Sequence, residues 1–196
     1  MAGLIGKKIG MTRVIQEDGK MIPVTVISVP DHTVTQVKTV EKDGYNAVVL
    51  GVGPLKKPTK TKKFAAVKEF AFEPAPAKDS QVGIELLKEV KEVSVSARSK
   101  GRGFTGVVKR YHFAGGPGSH GHAGKAKHGG IRKTGSVGAR AKPGRIKKGK
   151  RFPGRHGFHM FTLHHVPVVK VDAEHKLLAI KSPVPGATGT PVYIRF

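Results

Sequence analysis

Two glycine-containing motifs resemble loops that bind nucleotide phosphates. Residues 101–106 match the Gly-x-Gly-x-x-Gly pattern of dinucleotide-binding loops, and a predicted strand precedes them. That chemistry also needs a long helix after the glycines and an acid about 20 positions later for the ribose. The next acid is Asp172, and Gly115 and Gly116 are incompatible with a long helix. We therefore interpret residues 101–106 as turn glycines between cationic side chains.

The second motif, residues 144–151, lies one residue away from a phosphate-binding loop. Arg151 stands where that loop requires a Ser or Thr hydroxyl to hold magnesium, and Pro153 and Gly154 prevent the helix that should follow. A weaker interpretation remains. The backbone amides and cations of this stretch contact the phosphates of a nucleic acid.

Histidines are the third group with possible chemistry, and seven of them fall at short spacings: His120, His122, His128, His156, His159, His164 and His165. The chain has no cysteine, and no carboxylate accompanies these histidines. Zinc sites usually combine histidine with cysteine or carboxylate ligands in a preorganised arrangement. We therefore expect no metal and interpret the histidine rings as RNA contacts. No nucleophile or carboxylate pair suggests catalysis either. We expect neither an enzyme, nor a cofactor, nor a small-molecule substrate.

Positive charge is concentrated in one segment. The 196 residues include 36 Lys and Arg against 13 Asp and Glu, a net charge of +23. Residues 93–171 contain no acid, 18 of the basic residues and eight of the ten histidines, so the rest of the chain carries only +5. Such a charge favours a polyanionic partner: nucleic acid first, and an anionic membrane surface as the lesser alternative.

The acid-free segment differs from its flanks in composition. Residues 98–155 include 15 glycines in 58 positions and few apolar residues at any regular spacing. Glycine raises the entropic cost of ordering, and little apolar surface offsets it. The composition predicts a segment without its own hydrophobic core, loosely ordered until a nucleic acid binds.

The flanks predict short strands. Alternating or β-branched runs occur at 20–29, 33–40, 46–50, 90–96, 167–171, 177–181 and 192–196. Asp43-Gly44 predicts a tight hairpin turn, residues 51–54 predict a strand end, and residues 63–70 are compatible with two helical turns. Short strands with frequent turns indicate a closed barrel or a sandwich. Neither a signal peptide nor a membrane span is evident, so we expect a cytoplasmic protein.

Several stretches also resemble a known family. Residues 3–12, 17–19, 22–27, 34–39, 43–45, 99–110, 135–138, 143–150, 168–172 and 184–189 are similar, in order, to the bacterial form of large-subunit ribosomal protein three, the L-three family. The resemblance implies a mainly β fold with a closed six-stranded β-barrel and little helix. It also implies a long, glycine-rich, basic extended loop inserted between strands. The implied boundaries are 1–97 and 159–196 for the barrel and 98–158 for the loop.

In function, the resemblance implies a structural constituent of the large ribosomal subunit. Its partners would be 23S-type rRNA, bound near the 3′ region, and neighbouring ribosomal proteins, with a role in early assembly and no membrane. The loop would extend toward the peptidyl-transferase centre, with its tip near Arg140, Ala141 and Lys142. Many bacterial relatives have a methylated glutamine where this chain has Ala141, so that modification is not expected. Residues 56–73 look shortened, without the helical piece of the family.

The expected rRNA-binding residues are cationic or aromatic side chains, mostly in the acid-free segment: Lys7, Lys8, Lys100, Arg102, Phe104, Lys109, Arg110, His112, His120, Lys125, Lys127, Arg132, Lys133, Arg140, Lys142, Arg145, Lys147, Lys148, Lys150, Arg151, Arg155 and His156. Composition alone leaves a free nucleic-acid chaperone or architectural DNA-binding protein as an alternative. An NTP-dependent enzyme would rest only on the two glycine motifs.

Overall fold

The structure is a computed structural model that describes residues 1–55, 57–59, 62–115, 120, 138 and 144–196. These residues are mainly β. The strands are β1 (Gly3–Ile15), β2 (Met21–Ser28), β3 (His32–Lys38), β4 (Ala47–Pro54), β5 (Phe64–Phe70), β6 (Gln81–Val82), β7 (Glu92–Arg98), β8 (Phe104–Thr105), β9 (Gly154–Arg155), β10 (Met160–Asp172), β11 (Leu177–Ile180) and β12 (Pro191–Arg195). The helices are α1 (Val40–Asp43), α2 (Val107–Tyr111) and a 3₁₀ helix (Ile84–Leu87), and none of the described helices is long and apolar enough to cross a membrane.

Six strands form a closed ring of antiparallel pairs, in the order β1-β12-β7-β10-β11-β2. Successive side chains of a strand point to opposite faces, so every second residue faces the inside of this ring. Val93, Val95 and Ala97 of β7 are buried there, as are Val192 and Ile194 of β12. Closure pairs strand edges that would otherwise be open to other chains. The prediction of a mainly β fold is thereby confirmed, and the six strands expected as a closed barrel form this ring.

A second sheet, in the order β5-β4-β3-β6, shares its core with the ring. Leu50 and Phe70 of this sheet belong to the same buried cluster as Leu4 and Ile5 of β1. Gly3 allows the close approach. A Cβ atom at that position would lie 2.3 Å from Cδ1 of Phe70 and 2.5 Å from the carbonyl oxygen of Ile194.

The helical interpretation of residues 63–70 is wrong, because Phe64–Phe70 is strand β5. It pairs antiparallel with β4 from Val48↔Phe70 to Pro54↔Phe64. Glu69 forms a 2.8 Å ion pair with Lys38 of β3 and accepts a 3.0 Å hydrogen bond from Tyr45. The contact with Glu69, followed by the 2.7 Å hydrogen bond that Lys38 donates to the Tyr45 hydroxyl, raises the pKa of Lys38. Pairing with a neighbouring strand therefore overrides the local helical preference.

Two turn predictions are also wrong. Val40–Asp43 forms the helical turn α1 instead of a tight hairpin, and Gly44, at φ 80°, ends it by donating to the carbonyl of Val40. Residues 51–54 continue β4 rather than ending it. Gly51 serves packing there, since a Cβ atom would lie 2.7 Å from the ring of Phe64 on β5.

Strand β1 was not predicted at all, although its 13 residues pair with β12 on one side and β2 on the other. Glycines and lysines at positions 6–10 interrupt the apolar alternation that would have indicated it. A Cβ atom at Gly6 would lie 2.3 Å from Cγ2 of Ile27, so the neighbouring strand requires the glycine.

Candidate nucleic-acid interface

Backbone contacts divide the chain into two compact units: Met1–Lys100 with His159–Phe196, and Gly101–Phe158. The first unit contains the ring and the second sheet. It is interrupted between β7 and β10, which pair with each other, and the backbone N–H of Ser99 donates to the carbonyl of His159 at 2.9 Å. The second unit contains most of the acid-free segment.

The two ends of the second unit pair with each other. Strands β8 and β9 bring Phe104 opposite Arg155 and Thr105 opposite Gly154. The ladder extends through a 2.9 Å hydrogen bond from Arg102 N–H to the His156 carbonyl and another from His156 N–H to the Gly103 carbonyl. Gly103 has a φ of 65°, a left-handed backbone that glycine adopts without strain. We call this paired region, residues 102–105 and 154–156, the root.

A short helix follows the root. Gly106 precedes α2, in which Val107 is buried, and His112 ends the helix in the left-handed conformation at φ 59°. The dinucleotide-like motif is therefore followed by five helical residues, too few for a nucleotide-binding helix. The composition predicted loose order throughout residues 98–155, so the paired strands and the helix at the ends of the insertion are a finding of the structure. The loose order predicted for its centre concerns residues 116–119, 121–137 and 139–143, which lie outside the described residues.

Arg110 connects helix α2 to the residues just before strand β9. Its guanidinium Nη1 donates to the carbonyl of Phe152 at 2.9 Å. Gly154 leaves room for that arrangement, because a Cβ atom there would lie 2.5 Å from the same nitrogen. The side chain that we predicted as a phosphate ligand thus also holds the second unit together.

Cations and aromatic rings alternate around the helix. The guanidinium carbons of Arg110 and Arg151 lie 5.0 and 5.7 Å from the centre of the Tyr111 ring, and the Phe113 ring is 6.5 Å from it. Arg155 lies 5.5 Å from the ring of Phe158. Cation–π contacts of this kind orient long arginine side chains and leave the outer edge of each guanidinium able to donate.

Most of the predicted rRNA-binding residues that the structure describes are exposed to solvent: Lys7, Lys100, Arg102, Phe104, Lys109, His112, His120, Arg145, Lys147, Lys148, Lys150, Arg151 and Arg155. Lys8, Arg110 and His156 are half-buried. The remaining predictions, Lys125, Lys127, Arg132, Lys133, Arg140, Ala141 and Lys142, lie outside the described residues. Among the described Phe and Tyr side chains Phe104 is the most exposed, with 88% of its surface accessible, which suits stacking on a base.

Lys8 has a structural role that the sequence did not indicate. Its ammonium donates to the carbonyls of Val184, at 2.6 Å, and Gly186, at 3.2 Å, in the turn before β12. Burial, with a smaller contribution from the charge of Lys100, lowers the pKa of Lys8.

His32 is a buried residue that the sequence analysis missed. Its Nδ1 lies 3.1 Å from the carbonyl oxygen of Val82, and its Nε2 accepts from the backbone N–H of Ile5 at 2.7 Å. Burial lowers the pKa of His32, so the neutral ring bridges β1, β3 and β6. Among the described residues, no three His, Asp or Glu side chains converge as a metal ion would require.

Exposed apolar side chains at the start of β10 were missed as well. Met160 and Phe161 are about half exposed, at 48% and 52%. The sequence placed the strand start at residue 167, but β10 begins at Met160. The signal in the sequence was an aromatic residue next to a basic segment, a combination typical of nucleic-acid-binding surfaces.

A closed β ring interrupted by an acid-free, cation-rich unit is typical of nucleic-acid-binding proteins. Residues 59–182 match the family model of ribosomal protein L3. The chain is 43% identical to the large ribosomal subunit protein uL3 of Vibrio cholerae, over all of this chain and 98% of the relative. It is 41% identical to uL3 of Dehalococcoides mccartyi, over 98% of this chain and 97% of the relative, and 42% identical to that of Haemophilus ducreyi.

The chain therefore belongs to the ribosomal protein L3 family. The L-three resemblance is confirmed, and so is the expectation that the chain is not an enzyme, because its family consists of ribosomal proteins.

Proposed function

We propose that this chain is a structural constituent of the large ribosomal subunit, located in the cytoplasm, and that it binds 23S-type rRNA. The observation that carries the proposal is the acid-free segment 93–171, whose described cations are predominantly exposed. Phosphates repel carboxylates, so a segment without acids can approach several RNA phosphates at once. The relatives named above are proteins of the large ribosomal subunit, and this chain aligns with nearly their whole length.

The finer proposal concerns the insertion. Residues 1–97 and 159–196 form the body of the protein, and residues 98–158 extend into the RNA near its 3′ region and toward the peptidyl-transferase centre. The tip of this loop lies near residues 140–142, and the protein as a whole supports early subunit assembly. The paired root supports this proposal, since it holds residues 102–105 and 154–156 side by side, as the base of an extended loop requires.

Within the described part of the second unit, three kinds of contact are expected. Arg151 and Arg155 are each oriented by an aromatic ring, so they suit phosphates in one fixed geometry. Phe104 is free to stack on an unpaired base. Lys147 and Lys148 are exposed and have no ion-pair or ring partner among the described residues, which suits the less directional attraction of the RNA backbone.

Co-sedimentation tests the proposal. The full chain should remain with purified large subunits through a high-salt wash. Lys147→Glu with Lys148→Glu should reduce incorporation, whereas Lys42→Glu with Lys88→Glu, which changes two exposed lysines outside the acid-free segment, should not. Release of the unmodified chain into the free pool would favour the alternative, a free nucleic-acid chaperone.

A further inference from the structure

A groove on the first unit differs in character from the rest of the surface. It has a volume of about 480 Å³ and is lined by apolar side chains that include Phe72, Pro74, Pro76, Leu86 and Phe196. Leu86 is 46% exposed, although its neighbours Ile84 and Leu87 in the same 3₁₀ helix are buried. An apolar side chain left at the surface of a groove loses the stabilisation that burial would supply, so a partner that covers it gains that free energy.

The rim of this groove is acidic. Glu73 and Glu85 lie among its lining residues and are exposed, and neither takes part in an ion pair among the described residues. Residues 73–92 contain five acids and three lysines, a net charge of −2 in a chain of +23. We call the apolar lining and these two glutamates the acidic groove.

This charge argues against RNA as the occupant. Phosphates next to two unpaired carboxylates would be repelled, and the groove offers apolar rather than cationic lining. A basic protein segment fits both properties, because Lys or Arg would pair with the glutamates while an apolar side chain covers Leu86. Proteins that share an RNA-rich assembly carry such segments for the same reason that this chain does, to neutralise phosphates.

We propose that the acidic groove binds a Lys- or Arg-rich, apolar-anchored segment of another protein of the large subunit. The inference rests on the proposed function for the identity of the assembly. Its site is separate from the acid-free segment. The chain would thus present cations to RNA and carboxylates to a protein neighbour.

Photo-crosslinking in purified large subunits tests this inference. Full-length chain with Leu86→p-benzoylphenylalanine should yield a protein–protein crosslink to a peptide of net positive charge. Phe104→p-benzoylphenylalanine should crosslink to RNA and tests the proposed function separately. A chain that fails to co-sediment overturns both proposals. An RNA crosslink at Phe104 without a basic protein crosslink at Leu86 overturns only the groove.

Binding in solution tests the role of charge. A synthetic copy of the crosslinked peptide should bind the full chain, and Glu73→Gln with Glu85→Gln should weaken that binding roughly threefold to tenfold, as expected for two exposed ion pairs. Glu17→Gln with Asp18→Asn, two exposed acids outside the groove, is the matched control and should leave the affinity unchanged. Equal weakening in both variants, or none in either, would overturn the inference.

Discussion

Nη1 of Arg110 donates a 2.9 Å hydrogen bond to the carbonyl of Phe152, 42 residues further along the chain. This bond and the β8–β9 pair join the two ends of the cationic insertion within the second unit. An insertion closed at its base has fewer accessible conformations than one with independent ends. The root therefore lowers the entropic cost of presenting the remaining cations to RNA.

Arg110→Ala should loosen the root. The variant loses the hydrogen bond to Phe152 and the contact with Tyr111, at a cost of about 1 kcal/mol. Hydrogen exchange of the Arg102 and His156 amides, which bond across the root, should then become roughly fivefold faster. Lys109→Ala, at the exposed neighbouring position, serves as the control and should leave both exchange rates unchanged. Unaltered exchange in Arg110→Ala would show that the strand pair alone holds the root.

Gly3→Ala should destabilise the first unit strongly. The added Cβ would lie 2.5 Å from a backbone oxygen, that of Ile194, which cannot move without disturbing the pairing of β1 and β12. Overpacking of this kind costs about 1–3 kcal/mol, to be measured by urea denaturation. Gly10→Ala is the matched control on the same strand, because no atom lies within 4 Å of the Cβ it would add. Equal stability of the two variants would refute the packing argument.

His32→Leu should lower the free energy of unfolding by about 2 kcal/mol or more, since it leaves the Ile5 N–H and the Val82 carbonyl buried without the partner they have now. Denaturation at pH 7.5 measures the loss. His159→Ala removes an exposed histidine and should change stability little. A loss below about 0.5 kcal/mol for His32→Leu would mean that the bridge contributes little, as for an ordinary surface substitution.

The same histidine predicts a pH dependence. Burial lowers the pKa of His32 in the folded state below its ordinary value of 6.5, against the opposing effects of the Val82 and Ile5 backbone and Asp31. Below about pH 6.5 the unfolded chain binds a proton that the folded chain does not. The free energy of unfolding therefore decreases as the pH is lowered, until the pH passes the pKa of His32 in the folded state. His32→Leu should show a smaller decrease between pH 7.5 and 5.5. An identical decrease in both proteins would assign it to other groups.

Binding to a large-subunit rRNA fragment should weaken steeply with salt. Each phosphate that the chain neutralises contributes roughly −0.7 to −0.9 to the slope of log affinity against log salt. Lys147→Ala with Lys148→Ala should therefore reduce the magnitude of the slope by about 1.5, if each lysine contacts one phosphate. Lys42→Ala with Lys88→Ala controls for the loss of charge alone. A shallow slope for the unmodified chain would contradict the phosphate-binding role of the segment.

The strands that the sequence predicted correctly are those with regular alternation. Strands β2, β3 and β12 carry β-branched residues at every second position, so local pattern was sufficient for them, whereas only the second half of β10 was predicted. The sequence of β5 is also compatible with helical turns, because its strand preference is weak and its pairing with β4 is invisible in sequence. Strand β1 was missed because its glycines are required by close contacts with side chains on other strands, which no local pattern shows.

The candidate interface likewise has features that the sequence predicts and features that only the structure shows. Charge is a property of residue type, so the acid-free segment and its cations could be found without coordinates. Which cations also support the fold could not, because Arg110 and Lys8 find their carbonyl partners 42 and 176 residues away. The acidic groove was hidden for the same reason, since its lining comes from separate parts of the chain.

The sequence by itself determined the separation of charge, the mainly β character and the family, because composition and local periodicity are written residue by residue. The tertiary structure decided the closure of the ring, the paired root, the neutral bridge at His32 and the acidic groove. Each of these depends on contacts between residues far apart in the chain, whose free energy arises only when folding brings them together.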